Sequence, residues 1–189
     1  MKFKKIHVTL KNLDPEYGLL MNQYHVEGQI GEKLKPVSYS VEEDAERSAY
    51  FAEIDGKRQL YIPSINVYTM ILQTAGRRKI GGKSAKGVLA GLMKITPAKI
   101  PLGTDKYEID LRGGRRPPRT GGRVPVARAY LPKWELHFDI TYDSEYITNP
   151  NIIREILEEA GIRSGLGDFR PQHLGPFGTF IVTQFDVEE

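Results

Sequence analysis

Between a well-patterned helix and the last strand of the chain lies Gly161-Ile162-Arg163-Ser164-Gly165-Leu166-Gly167-Asp168-Phe169-Arg170, continuing to Leu174-Gly175-Pro176-Phe177-Gly178, with five glycines in eighteen residues. No other stretch constrains the fold as much. Glycine adopts positive φ and admits close backbone approach, at an entropic cost of roughly 0.5–1 kcal/mol each relative to alanine. The segment reads either as a long turn returning the chain to its sheet or as a loop whose N–H groups, with Arg163 and Arg170, hold an anion.

Around it the hydrophobic pattern is regular. Ile6, Val8 and Leu10 alternate with Lys5, His7 and Thr9, the period of a half-buried strand over 4–10. Asn12-Leu13-Asp14-Pro15 breaks it, and a short extended pattern recurs at 24–30. Residues 42–50 are acidic and read as a short exposed helix or a loop; Gly56 marks a turn before the strand 60–62, which Pro63 ends. Ser64 is placed to cap a helix with Ile65, Tyr68, Met70, Ile71, Leu72 and Ala75 on its apolar face. A second helix is expected over 84–94, and strands over 95–102 and 107–111. Residues 112–123 read as a flexible arginine-rich loop outside regular structure. Strands follow at 124–130 and 134–142. Asn149-Pro150 opens a helix with Ile152, Ile153, Ile156, Leu157 and Ala160 inward, which Gly161 ends, and 177–187 closes the chain as a strand. The order strand–helix–strand–strand–helix–strand implies an α+β fold with a ferredoxin-like antiparallel sheet and helices on one face. One domain over 1–189 is expected, with insertions at about 31–59 and at 112–123.

A 40% hydrophobic chain with mean hydropathy −0.41 has no apolar run long enough to span a membrane. The basic start Met1-Lys2-Phe3-Lys4-Lys5 leads into a strand pattern rather than a signal peptide. Without cysteine there is neither disulfide nor thiolate metal site, and a cytoplasmic location is the default. Net charge is only +3, but its placement is uneven. Arg77, Arg78, Lys79, Lys83 and Lys86 form one run free of acids, and Arg112, Arg115, Arg116, Arg119, Arg123 and Arg128 form another. Two such runs imply a polyanionic partner.

Chemical motifs are sparse. Gly81-Gly82-Lys83-Ser84 ends like a phosphate-binding P-loop, but Arg77 stands where that motif needs glycine. His7, His25, His137 and His173 are scattered, so no metal or cofactor is expected. His7 and His137 fall within strands; His25 or His173 could act as general acid–base in RNA cleavage. Asp168 either shapes an Asx turn or stands alone in the glycine-rich loop. Tyr68, Tyr107, Tyr130, Phe169 and Phe177 lie near the basic runs as stacking platforms or core aromatics, with Tyr68 read as core.

Three elements together resemble the RAMP superfamily of CRISPR-associated RNA-binding proteins: the strand 4–10 with Leu19-Leu20-Met21-Asn22, the helix entry Tyr61-Ile62-Pro63-Ser64, and the glycine-rich stretch ending Gly175-Pro176-Phe177-Gly178. The order is most similar to the backbone subunits that polymerise along a guide RNA. The resemblance implies an RRM-like core whose insertions clasp single-stranded RNA, neighbouring copies of the same chain and other effector subunits. The loop at 112–123 would be the protruding thumb. Arg77 to Lys86, the arginines of the second run, Arg163 and Arg170 would meet RNA. Gly161, Gly165, Gly167, Phe169, Gly175 and Gly178 would form the signature loop. A metal-independent repeat-processing endoribonuclease of the same superfamily, or a stand-alone phage or mobile-element nucleic-acid-binding or structural protein, are the alternatives.

Overall fold

A computed structural model describes residues 1–23, 40–115 and 123–188. The pattern at 24–30, His25, Arg116 and Arg119 lie outside the described residues.

The even positions of β1 (Phe3–Asn12) point inward, with Ile6, Val8 and Leu10 buried as their alternation requires. β2 (Leu19–Leu20) follows, then α1 (Val41–Ser48), the hairpin β3 (Phe51–Ile54) and β4 (Lys57–Pro63), and α2 (Ser64–Thr74). A small hairpin, β5 (Lys79–Ile80) and β6 (Lys83–Ser84), leads into α3 (Ala85–Leu92), β7 (Met93–Thr96) and β8 (Lys99–Pro101). The long hairpin β9 (Glu108–Arg115) and β10 (Arg123–Leu131), β11 (Glu135–Asp143), α4 (Asn151–Arg163) and β12 (Phe180–Val187) complete the order.

The central sheet has the order β12-β1-β11-β7 with every pair antiparallel. Along the chain its strands and the α2–α3 and α4 helices run β-α-β-β-α-β. Leu136, Phe138, Ile140, Tyr142 and Phe180 join the β1 residues against Val67, Ile71, Ile153, Ile156 and Leu157 of the helices. Each such side chain contributes about 1.5–3 kcal/mol by leaving water, so this layer holds the molecule together. The opposite face carries Lys5, His7, Lys11, Glu135, His137 and Asp139, and no aromatic rings from β1 or β11 except Phe3 at the end. Smaller sheets, β2-β10-β9 and β3-β4-β8, flank it. Among the described residues no helix is long and apolar enough to cross a membrane.

Several boundaries differ from the sequence pattern, each for a local reason. The stretch 112–123 is not wholly loop: β9 runs to Arg115 and β10 begins at Arg123, paired in register from Arg123↔Arg115 to Tyr130↔Glu108. Ladder pairing there overrides the weak strand preference of glycine and arginine. Residues 41–48 form a helix because Ser40 and Glu43 make a reciprocal capping box. Ser64 does not cap α2; it is the first helical residue, and its N–H donates to Ala98 O at 2.9 Å. The helix expected over 84–94 stops at Leu92, because Met93 enters the sheet opposite Tyr142. The strand at 95–102 is divided between β7 and β8 around Pro97. Gly161 does not end α4, which continues to Arg163; a Cβ there would stand 2.1 Å from Phe180 O, so glycine lets the helix rest on β12. The last strand starts at Phe180 rather than 177.

Candidate functional site

α2 turns Val67, Met70 and Ile71 into the core. Its neighbouring face presents Asn66, Thr69 and Gln73, at helical spacing, to a cleft of about 300 Å³. The facing wall is the glycine-rich segment, with Gly165 to Asp168, Arg170 and His173; Met21, Asn22, Tyr50 and Ile62 close the back. Its polar groups are the amides of Asn22, Asn66 and Gln73, the hydroxyls of Tyr50 and Thr69, the Asp168 carboxylate, the Arg170 guanidinium and the His173 imidazole.

The segment holds its shape by folding on itself. Gly178 has φ +73°, and a Cβ there would fall 1.8 Å from Leu166 O; Gly167 has φ +80°, and its Cβ would fall 2.2 Å from Leu20 O. Only glycine fits at either position. Leu166 N–H donates to Gly178 O at 3.0 Å, Asp168 N–H to Leu20 O at 2.8 Å, and Gly178 N–H to Gly18 O at 2.8 Å. These amides are committed to the chain itself, so the glycines make the wall of the cleft rather than an open amide cradle. Gly165 packs against Pro171, and Gly175 against Phe169 O. Arg170 lies along this wall, donating from Nη1 to Gly167 O at 2.8 Å and from Nη2 to Gln172 Oε1 at 3.2 Å. Gln172 in turn donates to Gln73 Oε1 at 2.8 Å, tying the wall to α2. Burial pushes the Arg170 guanidinium below its usual pKa, against the opposing pull of Asp168.

The long hairpin packs beside the same segment. Arg128 Nε lies 3.1 Å from Asp168 Oδ2. The Arg112 guanidinium is bound by Asp110 and sits 4.4 Å from the Phe177 ring centre and 5.6 Å from that of Phe169. The Asp110 hydrogen bond raises the Arg112 pKa, and the guanidinium, cationic at any working pH, lies over the aromatic face. Phe177 is buried among Tyr17, Tyr130 and Phe169, with ring centres 5.3, 6.0 and 6.1 Å away. Of these platform candidates Phe169 keeps an open face, being 41% exposed. Tyr130 is occupied differently, its hydroxyl donating to Glu16 O at 3.0 Å.

The first basic run stands elsewhere. Arg77, in the 3₁₀ turn after α2, and Lys79, Lys83 and Lys86, on the β5–β6 hairpin and α3, are exposed, and none lines the cleft. Gly81-Gly82 is the hairpin's turn, both with positive φ. Arg78 is held by Glu155 at 2.6 Å and Glu159 at 2.9 Å, and the Glu159 hydrogen bond raises its pKa. The run is free of acids in sequence but not in space. Arg163 is exposed on the last turn of α4, 3.9 Å from Glu159. Arg115 and Arg123 face one another in the hairpin register. Tyr68 is half-buried, its hydroxyl donating to Ala90 O, while Tyr107 donates to Glu46 and is pushed by burial to about pKa 12. Asn66, Thr69 and Gln73 were not legible as site residues in the sequence, because amides and hydroxyls on a helix surface carry no distinguishing pattern until the opposing wall is known.

No protein-family model matches the chain, and no curated protein matches it in sequence. Among solved structures, the chain is similar over its full length to 61% of a chain in a Type III-B Cmr-beta complex bound to cognate target RNA, with TM-score 0.61 and 14% identity. It is also similar over 96% of its length to 66% of a chain in a CRISPR RNA-guided surveillance complex, with TM-score 0.45 and 10% identity. The chain spans about three fifths of the Cmr-beta chain, and at this identity the shared property is the α+β fold alone.

Proposed function

We propose that this chain is a single-stranded RNA-binding subunit of a CRISPR-type ribonucleoprotein, built on a ferredoxin-like core of the RAMP kind. RNA lies in the cleft between α2 and the glycine-rich segment. Asn66, Thr69 and Gln73 meet ribose and base edges, Arg170 meets phosphate, and the β9–β10 hairpin closes over the strand with its arginines. Copies of the chain stand side by side along the guide RNA, next to other effector subunits. The observation that carries this reading is the convergence of a glycine-walled, amide-lined cleft and an arginine-bearing hairpin on one side of the molecule.

His173 lines the same cleft, which is the observation favouring the nuclease alternative. It has no carboxylate or second imidazole hydrogen-bonded to it among the described residues, so nothing orients it as an acid–base pair. One experiment weighs both readings. Labelled single-stranded and hairpin RNAs are incubated with the protein in EDTA at low salt, then resolved on native and denaturing gels. Intact RNA of shifted mobility is the expected result, with the shift lost in an Asn66→Ala/Gln73→Ala variant. Cleavage that stops on His173→Ala replaces this reading with the nuclease, and a wild type that neither shifts nor cleaves the RNA refutes both.

A further inference from the structure

α3 and the β5–β6 hairpin carry a second groove, built from residues that do not line the cleft. Its volume is about 350 Å³, with Gly87, Val88, Gly91 and Leu92 as floor, Tyr146 as wall, and Lys83 and Ser84 at the rim. Gly87 and Gly91 stand one turn apart, and a Cβ on either would meet nothing within 4 Å. The floor is therefore open, while Leu89 on the inner side of the helix is fully buried. Tyr146 is 43% exposed, and Lys83 Nζ stands 5.7 Å from its ring centre. Lys79 lies across the hairpin from Ser84, and Lys86 is in the first turn of α3. Arg77, Lys79, Lys83 and Lys86 have no ion pair among the described residues. The nearby carboxylates are taken: Glu155 and Glu159 by Arg78, and Glu145 by the N-terminal ammonium.

We propose that this groove is a second surface for single-stranded nucleic acid, separate from the cleft. One base lies over Tyr146, the sugar-phosphate backbone crosses the glycine floor, and adjacent phosphates meet Lys79, Lys83 and Lys86. The pairing of features selects the ligand. Unpaired lysines alone suit any polyanion, but an exposed aromatic ring beside a floor kept shallow by Gly87 and Gly91 suits the flat face and thin backbone of a nucleotide strand. An acidic protein segment would meet the lysines and leave the ring and floor unused.

The full chain is titrated with fluorescein-labelled hexauridylate, with binding stoichiometry and affinity read together. Two oligonucleotides per chain are expected. Lys83→Glu/Lys86→Glu and Gly91→Leu, the latter filling the groove without changing charge, should each lose one of them. Asn66→Ala/Gln73→Ala should lose the other. Tyr146→Ala should weaken the groove site about tenfold, and replacing all three lysines should reduce the slope of log affinity on log salt by about two, at roughly 0.7 per phosphate contact on a single strand. Thermal melts establish that each variant is folded, and the surface lysine pair decides the outcome if Gly91→Leu is not. A stoichiometry unchanged by the groove variants overturns the proposal. So does a hexaglutamate peptide that displaces the oligonucleotide from this site at equal concentration. Loss of one site with the groove variants but none with Asn66→Ala/Gln73→Ala sinks the cleft reading alone.

Discussion

At Gly178 a methyl group would enter 1.8 Å from a backbone oxygen, and the residue already holds φ +73°. Neither the loop nor Leu166 can give way without disturbing the wall of the cleft. Gly178→Ala should therefore cost at least the roughly 1–3 kcal/mol of an overpacked site, lowering the thermal midpoint by about 2–4 °C for each kcal/mol in a chain this size. Gly76→Ala, at a position with open space and ordinary φ, should leave it unchanged or raise it, as scanning calorimetry would show. His7 offers a test by pH. Its Nδ1 lies 2.7 Å from Asp139 and its Nε2 3.0 Å from Glu188, with Lys5 beside the same carboxylates and Asp186 opposite on β12. The Asp139 hydrogen bond raises its pKa above 6.5. A raised folded-state pKa gives stability that is complete below the unfolded value and is lost as pH rises through the folded one. The thermal midpoint of wild type should exceed that of His7→Gln below pH 6.5, and the gap should narrow above it. A gap that widens with pH would contradict the ion pair. His7 and His137 were readable as strand residues from alternation alone; the Asp139 partner of His7 was not, since it lies more than a hundred positions away.

Elements with an unambiguous period were legible in the sequence: β1, β11 and α4 each place their apolar residues as the pattern requires, with Ile153, Ile156, Leu157 and Ala160 buried. The outer hairpin was legible only in part: strands were expected over 107–111 and 124–130, but not the extension of β9 to Arg115. Arginine, glycine and proline give no strand signal, and the extension exists because β10 pairs with it. On its other edge β10 pairs with β2 at Tyr130 and Leu131, and ahead of that pairing α1 covers the edge through side chains. Asp44 Oδ2 accepts the Ala127 N–H at 2.9 Å, and Ser48 Oγ accepts the Ala129 N–H at 2.8 Å while donating to Ala45 O. The acidic helix is thus a structural cover for a strand edge. Ser48→Ala should strand the fully buried Ala129 N–H, at about 1–3 kcal/mol, and hydrogen exchange should show that amide losing protection ahead of the central sheet. Equal exchange in both proteins would mean that α1 is dispensable to the edge.

For the whole molecule, the cationic groups sort into three kinds that the sequence presented as two runs. Arg78, Arg112 and Arg128 are bound to carboxylates and build the protein. Arg77, Lys79, Lys83 and Lys86 crowd the α3 side. Of the remaining arginines, Arg115 and Arg123 form the last pair of the hairpin ladder, and Arg116 and Arg119 fall between them in the sequence. This division separates folding from binding and can be tested by shortening the hairpin. Arg112 and Val126 face each other in register, so replacing 113–125 with Asn-Gly closes the strands in a two-residue turn suited to their twist. Ala127, Ala129, Arg112 and Arg128, the residues that join the hairpin to α1 and the glycine-rich segment, all remain. The thermal midpoint should stay within a few degrees of wild type, while affinity for a long single-stranded RNA falls and its salt slope drops by up to about three, at roughly 0.7 for each of four arginines. The two-site stoichiometry for short oligonucleotides should persist, because both grooves are intact. An unchanged salt slope would remove the hairpin from the RNA path, and a collapse of the thermal midpoint would return these arginines to the fold.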